Sequence, residues 1–344
     1  SGAVLKEVVL HYATYGKLNQ KRDNAVLVCH ALSGSARIAD WWPEIVKIFD
    51  PKDHFVIGIN LLGSCYGSTG PRSIDPDTGS IYGDSFPVVT ILDSVRAQKI
   101  LLDHLGVELL QAVVGGSIGG MQALQWAVEY PEKVSKCAAI AATPLSAMGL
   151  ALNHLQRLAI FQDSDWNGGR YSQQPEQGLT LARAIATCSY KSADLFQQRH
   201  ARLSNRNGDS PYTALKGRFD IAGYLDYQGS SFIKRFDAAS YVSITKTMDT
   251  FDFEKIYGSE KEAFQRIKAE ILLVGVSSDW LFPAKDVKAL TTKLKEYGVD
   301  ARYCEIESSH GHDAFLADFH LLIPALAEFF EYKSNLLCSQ SMPC

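Results

Sequence analysis

Ser117 lies between two glycines in the pattern Gly-x-Ser-x-Gly, within the stretch GGSIGGMQ. The small apolar residues before it are typical of the end of a buried strand, and residues 121–130 after it repeat apolar side chains at helical spacing. A serine on a sharp turn between a strand and a helix is typical of a nucleophile elbow, where glycines leave room for neighbouring backbone. The pattern predicts a nucleophilic Ser117, with an incidental serine in a glycine-rich turn as the alternative.

A serine hydroxyl needs a base that takes its proton and a third group that orients the base. Asp279 directly follows the strand-like run 270–278, and His312 comes four residues after the run 301–308. The chain order Ser, Asp, His and the position of each residue after a strand match a known triad arrangement. We therefore predict a catalytic triad of Ser117, Asp279 and His312.

Other residues of the same types compete for these roles. His310 lies two residues from His312 and remains an alternative base. Asp249 and Asp252 follow no strand-like run, so we interpret both as structural.

Acyl chemistry at a serine also requires two backbone N–H groups that stabilise the oxyanion. The residue after the nucleophile, Ile118, supplies one of them. The loop HALSGS at 30–35 follows an early strand and places Leu32 as the second donor. His30 in that loop is interpreted as shaping it.

Short apolar runs alternate with helical stretches along the chain, which predicts an α/β fold with a mostly parallel sheet flanked by helices. The stretch 8–16 alternates apolar and polar residues and is predicted to be an antiparallel edge strand. The predicted strands are 25–32, 54–63, 111–116, 136–143, 270–278 and 301–308, and the predicted helices include 88–105, 121–130, 284–297 and 314–332.

The pattern changes after the fourth of these central strands. Residues 145–265 are helical and polar, and we interpret them as a helical lid over the carboxyl edge of the sheet, where open α/β sheets bind ligands. The core domain is then formed by 1–144 and 266–333. Residues 334–344 are predicted to be a loose tail.

Composition excludes several other classes of protein. The net charge of −4 and the scattered basic residues argue against nucleic-acid binding, and no apolar stretch approaches the roughly 20 residues of a membrane helix. The seven cysteines form no CxxC pair and no Cys/His set with metal-ligand spacing, so no metal site is expected. The number of cysteines is odd and several of them lie in apolar runs, which favours reduced thiols and a cytoplasmic location. The first residues of the sequence do not resemble a secretion signal.

Three motifs around the predicted triad, GGSIGGMQ, SSDWLFP and GHDAF, resemble those of the homoserine O-acetyltransferase family, acyltransferases built on the α/β-hydrolase fold. The similarity extends into the helical region through DWNGGRY, GLTLARAIATCSYKS and YQGSSFIKRFDAASY. The chain departs from the family at Lys191, where arginine is common, and at Ala239, where asparagine is common. These departures bear on the shape of the substrate pocket.

The resemblance implies transfer of an acyl group from acetyl-CoA, as co-substrate, to L-homoserine, with no bound cofactor. It implies that Arg183 and Tyr190, seven residues apart, and Asp313 bind the acceptor. An arginine suits the carboxylate of an amino acid, and Asp313 could neutralise its ammonium group.

Several alternatives stay open at this point. A succinyl donor, serine as acceptor, and hydrolysis of esters or thioesters are compatible with the same triad, whereas a catalytically inactive fold is disfavoured by the intact triad. The aromatic-rich lid predicts more apolar surface than a lid alone would bury, and therefore a homodimer.

Overall fold

The computed structural model describes residues 2–205 and 210–331. Its strands form one sheet in the order β1-β3-β2-β4-β5-β6-β7. The strands are β1 (Tyr12–Tyr15), β2 (Ala25–Cys29), β3 (Phe55–Ile59), β4 (Leu110–Gly116), β5 (Val134–Ile140), β6 (Glu270–Val276) and β7 (Ala301–Ile306).

The sheet confirms the predicted arrangement. Strand β1 pairs antiparallel with β3 at one edge, and every other neighbouring pair is parallel. All five residues of β2 and of β3 are buried. Continuous burial of this kind belongs to a parallel sheet covered on both faces, which explains why these strands are apolar throughout. The predicted α/β architecture, a mostly parallel sheet flanked by helices, is therefore present.

Helices lie between the strands and after the last one. They are α1 (Ile38–Trp41), α2 (Pro43–Ile48), α3 (Ile91–His104), α4 (Ile118–Glu129), α5 (Ala147–Phe161), α6 (Glu176–Tyr190), α7 (Ala193–Arg199), α8 (Asp220–Phe232), α9 (Ala238–Asp249), α10 (Phe253–Tyr257), α11 (Glu260–Phe264), α12 (Ala284–Glu296), α13 (Ala314–Ala317) and α14 (Phe319–Phe329). Short 3₁₀ turns include Gly311–Asp313. No helix within the described ranges is long and apolar enough to cross a membrane.

The helix predicted at 314–332 is divided in two. Asp318, between α13 and α14, has a non-helical backbone (φ −116°, ψ 40°). Its side chain accepts hydrogen bonds from Ser308 and His310, which draws it toward the loop after β7. A tertiary contact of this kind overrides local helix propensity, so the prediction of one continuous helix was wrong.

Alternate side chains of each central strand enter one of two cores. Leu27 and Val113 pack on one face with helices α3, α4 and α12, whereas Val26 and Val114 pack on the other with α1, α2 and α14. Period-two alternation of the side chains places successive residues on opposite faces. Together the two cores fix the sheet edge at which β4, β6 and β7 end.

Helices α5–α11 lie between β5 and β6, in the region predicted as a lid. Contacts between α5 and α6, between α6 and α8, and between α5 and α9 join them into one helical layer. The predicted tail 334–344 lies outside the described residues. Among the described cysteines, Cys29 and Cys137 are free and buried, and burial raises the pKa of both thiols.

Candidate active site

Ser117 occupies a strained turn between β4 and α4. Its backbone has φ 58° and ψ −128°, which lies outside the regions that residues other than glycine favour, and such strain costs about 1–3 kcal/mol. The Ser117 N–H donates to the carbonyl of Ile140 at 2.9 Å, which ties the turn to β5. The local geometry is that of a nucleophile elbow.

The glycines around Ser117 are required by close backbone packing. A Cβ on Gly119 would lie 2.2 Å from the Cys29 carbonyl oxygen, and one on Gly115 would lie 2.4 Å from the backbone of Gly119. A Cβ on Gly116 would lie 2.6 Å from the Phe315 ring. Strand β2, the elbow and helix α4 can approach this closely only where side chains are absent.

Asp279 and His312 meet at the ends of β6 and β7. Asp279 Oδ2 lies 2.7 Å from His312 Nδ1, and Asp279 Oδ1 accepts the N–H groups of Leu281 and Phe282, both at 2.9 Å. The His312 ring stacks on Phe282 with centroids 5.1 Å apart. These contacts fix the ring and the tautomer, because the proton on Nδ1 is held by the carboxylate and Nε2 is left to accept a proton.

The environment of His312 favours its protonated form. Burial alone lowers the pKa of this group, but the charge and the hydrogen bond of Asp279, together with the charge of Asp313, outweigh burial and raise it above 6.5. A raised pKa makes the imidazole a stronger base. Ser117 and His312, 5 % and 3 % exposed, line the same cavity.

His310, the alternative base, makes other contacts. Its Nδ1 lies 2.6 Å from Asp318 Oδ2, and its Nε2 lies 3.1 Å from Nη2 of Arg199 on α7. Both ring nitrogens are therefore engaged between the loop after β7 and the helical layer.

His30 accepts the Leu61 N–H on Nε2 at 3.0 Å and contacts the Ala31 carbonyl through Nδ1. Burial lowers its pKa to about 4, so His30 is a neutral residue that braces its loop.

The loop after β2 faces the elbow across the cavity. Leu32 lies in a turn closed by a 2.9 Å hydrogen bond from the Gly34 N–H to the Ala31 carbonyl, and Leu32 lines the cavity. Ile118 begins α4, so its N–H has no partner within the helix. Arg235, beyond α8, donates from Nη1 to the Ser33 carbonyl at 3.0 Å and so joins the helical layer to this loop.

The cavity has a volume of about 380 Å³ and lies between the carboxyl edge of the sheet and the helical layer. Two of the predicted triad residues, Ser117 and His312, line this cavity. The three predicted acceptor-binding residues, Arg183, Tyr190 and Asp313, line it as well. Its wall includes Leu32, Ser117, Asn153, Gln156, Arg183, Tyr190, Lys191, Arg235, His312 and Asp313.

Arg183 and Tyr190 lie two turns apart on α6. The guanidinium of Arg183 lies 4.7 Å from the ring centroid of Phe232 and 5.3 Å from that of Tyr190. Its Nε is buried and has no hydrogen-bond partner among the described residues. A buried donor of a cation without a partner is costly, so this side of the cavity suits an anionic ligand such as a carboxylate.

Asp313 is already paired in the protein. Its Oδ2 lies 2.8 Å from Nζ of Lys191, which is the residue that directly follows α6. The pair joins the histidine loop to the helical layer beside the cavity. A cationic group of a ligand would therefore share the Asp313 carboxylate with Lys191.

Known proteins resemble this chain over nearly its full length. The family model of the alpha/beta hydrolase fold matches residues 24–319. A homoserine O-acetyltransferase of Geotalea uraniireducens is 42% identical over 346 residues, which cover 96% of this chain and 93% of the relative. The chain belongs to the homoserine O-acetyltransferase family.

Solved structures related to this homoserine O-acetyltransferase family member include both transferases and esterases. A homoserine O-acetyltransferase from Bacillus anthracis superposes with a TM-score of 0.89 at 30% identity, covering 95% of this chain and 93% of that one. Esterase E22 superposes with a TM-score of 0.86 at 27% identity, covering 95% of both chains. The fold is thus shared by a protein named as a homoserine O-acetyltransferase and by one named as an esterase.

Three cavity residues of this family member were missed from the sequence. Asn153 and Gln156 lie on α5, and Arg235 follows α8. The stretch YQGSSFIKRFDAASY contains Arg235 and was a usable signal, because it resembles a family motif without having an assigned role. Nothing in the local pattern of α5 distinguished Asn153 and Gln156 from other polar helix residues.

In the part of the chain that the structure describes, no cluster of three or more His, Cys, Asp or Glu side chains could hold a metal ion.

Proposed function

We propose that this protein transfers an acetyl group from acetyl-CoA to the hydroxyl of L-homoserine, through an acyl-enzyme on Ser117. One observation carries the proposal: Ser117, His312 and Arg183 line one cavity, and the buried Nε of Arg183 has no hydrogen-bond partner among the described residues. The similarity to proteins named homoserine O-acetyltransferase, which spans 96% of this chain and 93% of one such relative, supports the acetyl group and the homoserine acceptor.

The first half-reaction forms the acyl-enzyme. His312 Nε2 takes the proton of the Ser117 hydroxyl while Oγ attacks the thioester carbonyl carbon. The N–H groups of Leu32 and Ile118 stabilise the oxyanion of the tetrahedral intermediate. The carbon–sulfur bond then breaks, and the CoA thiol leaves with the proton from His312. Asp279 stabilises the imidazolium during both proton transfers.

The second half-reaction transfers the acyl group to the amino acid. Arg183 binds the acceptor carboxylate, Tyr190 packs beside it, and Asp313 binds the ammonium group while remaining near Lys191. His312 takes the proton of the acceptor hydroxyl as its oxygen attacks the acyl-serine carbonyl. Ser117 leaves and regains its proton, and the acylated homoserine is released.

Hydrolysis by the same residues is the second candidate function, favoured by the similarity to esterase E22. Water would then replace homoserine in the second half-reaction. Succinyl-CoA as donor and serine as acceptor are narrower alternatives within acyl transfer. Initial rates of thiol release with two acyl-CoAs, each with homoserine, with serine and without acceptor, separate these possibilities. The proposal predicts that acetyl-CoA with homoserine is fastest and that release without acceptor stops after one turnover.

We also propose that the chain divides into a core domain, 1–144 and 266–333, and a helical lid, 145–265. A lid that closes over the cavity would exclude water from the acyl-enzyme and so favour transfer over hydrolysis.

A second copy of the chain is the proposed partner, bound through the lid. The solvent-facing side of α5 is apolar, with Met148 56%, Leu155 48% and Phe161 45% exposed, and Leu181 on α6 is 54% exposed. A contiguous apolar surface on a water-soluble domain marks an interface. A homodimer would bury it in an isologous contact.

A further inference from the structure

Asn153 is a buried polar residue of α5 for which the mechanism above has no role. Its side chain is 5% exposed and lines the cavity that contains Ser117 and Arg183. The amide nitrogen Nδ2 donates to Asp249 Oδ1 at 2.9 Å and to the Thr245 carbonyl at 3.4 Å, both on α9. Both amide hydrogens therefore point away from the cavity, toward α9.

The orientation of this amide is determined by its partners. A carboxylate and a backbone carbonyl only accept hydrogen bonds, so the nitrogen of Asn153 must face them and the oxygen cannot. Asp249 is in turn fixed by Arg157, whose Nη2 lies 2.5 Å from Asp249 Oδ2 in a largely buried ion pair. The α5–α9 contact thus holds Asn153 in one of its two amide orientations.

Asn153 Oδ1 is consequently an acceptor presented to the cavity. Among the described residues, no donor contacts this oxygen, although most of the side chain is buried. Because Asn153 lines the cavity and its amide nitrogen is held by α9, its oxygen is available to accept a hydrogen bond from a ligand. The ligand group that Asn153 suits is a hydrogen-bond donor, most strongly a cationic one.

The charges of the cavity indicate which donor this is. Arg183 suits a carboxylate, and the carboxylate of Asp313 is already 2.8 Å from Lys191. An α-ammonium group has three N–H donors, and a carboxylate shared with Lys191 cannot satisfy all of them. A neutral amide oxygen adds a contact for the ammonium without adding another charge to the site.

We propose that Asn153 is a specificity-determining residue whose side-chain oxygen accepts a hydrogen bond from the α-ammonium group of the amino-acid acceptor, beside Asp313. This assignment rests on the proposed transfer to homoserine. It makes α5 part of the acceptor site and gives the buried Arg157–Asp249 pair the role of orienting Asn153.

The test compares homoserine with 4-hydroxybutyrate, which has the same hydroxyl and carboxylate but lacks the amino group. Enzyme acylated with acetyl-CoA is mixed with each acceptor, and the rate of acyl loss is measured as a function of acceptor concentration. In Asn153→Ala, kcat/KM for homoserine should fall about ten- to hundredfold, whereas kcat/KM for 4-hydroxybutyrate should change less than about twofold. The ratio of kcat/KM for homoserine to kcat/KM for 4-hydroxybutyrate should therefore be smaller in Asn153→Ala than in the wild type by about the same factor.

Two further variants keep the comparison informative. Asn153→Ser retains a hydroxyl that can donate to Asp249 but lacks the carbonyl, so it should show the same selective loss even if the alanine variant does not fold. His154→Ala changes the next residue of α5, which is exposed, and should leave the preference intact.

Equal losses for both acceptors in the Asn153 variants would overturn the proposal, because Asn153 would then only support α5–α9 packing. Unchanged preference would overturn it as well. Failure of the proposed function is a separate result: acetyl-CoA would not acylate the wild-type enzyme, or homoserine would not accelerate acyl loss from it.

Discussion

His312 Nδ1 lies 2.7 Å from Asp279 Oδ2, and the Asp279 side chain is fully excluded from solvent. The second oxygen of Asp279 is occupied by the N–H groups of Leu281 and Phe282. The carboxylate therefore cannot turn away from the imidazole without losing two hydrogen bonds. This rigidity is what allows one residue to set both the orientation and the proton affinity of His312.

Replacing Asp279 with Asn should change the pH dependence as well as the rate. His312 acts as a base only when neutral, so activity falls as pH drops through its pKa, which is raised above 6.5 in the wild type. In Asp279→Asn the charge that raises this pKa is gone while burial, which lowers it, remains. The acid limb of the single-turnover acylation rate should move to lower pH, and the maximal rate should fall about 10⁴-fold. An acid limb at the wild-type position would contradict the assigned pair.

Arg183→Ala should separate the two half-reactions. The acylation step does not involve the amino acid, so thiol release from acetyl-CoA in a single turnover should be nearly unchanged. Deacylation by homoserine should lose about 1.5–3 kcal/mol of binding free energy, equivalent to a ten- to hundredfold lower kcat/KM. The matched control is Arg199→Ala, which removes the partner of His310 on α7. Equal impairment of both steps in Arg183→Ala would mean that Arg183 supports the fold.

Gly119→Ala should destabilise the protein through the elbow. The new Cβ would lie 2.2 Å from the Cys29 carbonyl oxygen, so strand β2 and helix α4 would have to separate. Overpacking of this kind costs about 1–3 kcal/mol or more in free energy of unfolding, which urea denaturation measures. Gly149→Ala on α5 is the control, because its Cβ would meet only the flexible Leu145 side chain. Similar free energies of unfolding for the two variants would rule out the clash with the Cys29 backbone as the reason for a glycine at position 119.

The homodimer proposal predicts a dimer mass by light scattering at micromolar concentration. Leu155→Lys and Leu181→Lys place charges on the apolar faces of α5 and α6. The double variant should be a monomer, and its thermal unfolding should differ from that of the wild type only by the stabilisation that dimerisation provides. A monomer mass for the wild type would refute the proposal directly.

Much of this fold could be predicted from the sequence because its signals are local. Continuous apolar runs identified the parallel strands, and the glycines around Ser117 identified the elbow. The positions of Asp279 and His312 after β6 and β7 followed from the rule that the carboxyl ends of parallel strands share one edge.

The remaining features depend on contacts between distant segments. The break at Asp318 arises from hydrogen bonds to the loop after β7, and Lys191 meets Asp313 across more than a hundred residues of chain. The orientation of Asn153 depends on Asp249 of α9. No local pattern encodes how α5, α6 and α9 pack on one another, so these parts of the site required the structure.

The central claim, acyl transfer through Ser117, is tested most directly by intact-mass spectrometry of the enzyme. Wild-type protein and Ser117→Ala are each mixed with acetyl-CoA alone, and homoserine is then added. We expect one acetyl group on the wild type, none on Ser117→Ala, and loss of the adduct with formation of O-acetylhomoserine when the acceptor is added. An acetyl adduct that persists on Ser117→Ala, or a wild-type adduct that homoserine does not discharge, would contradict the account.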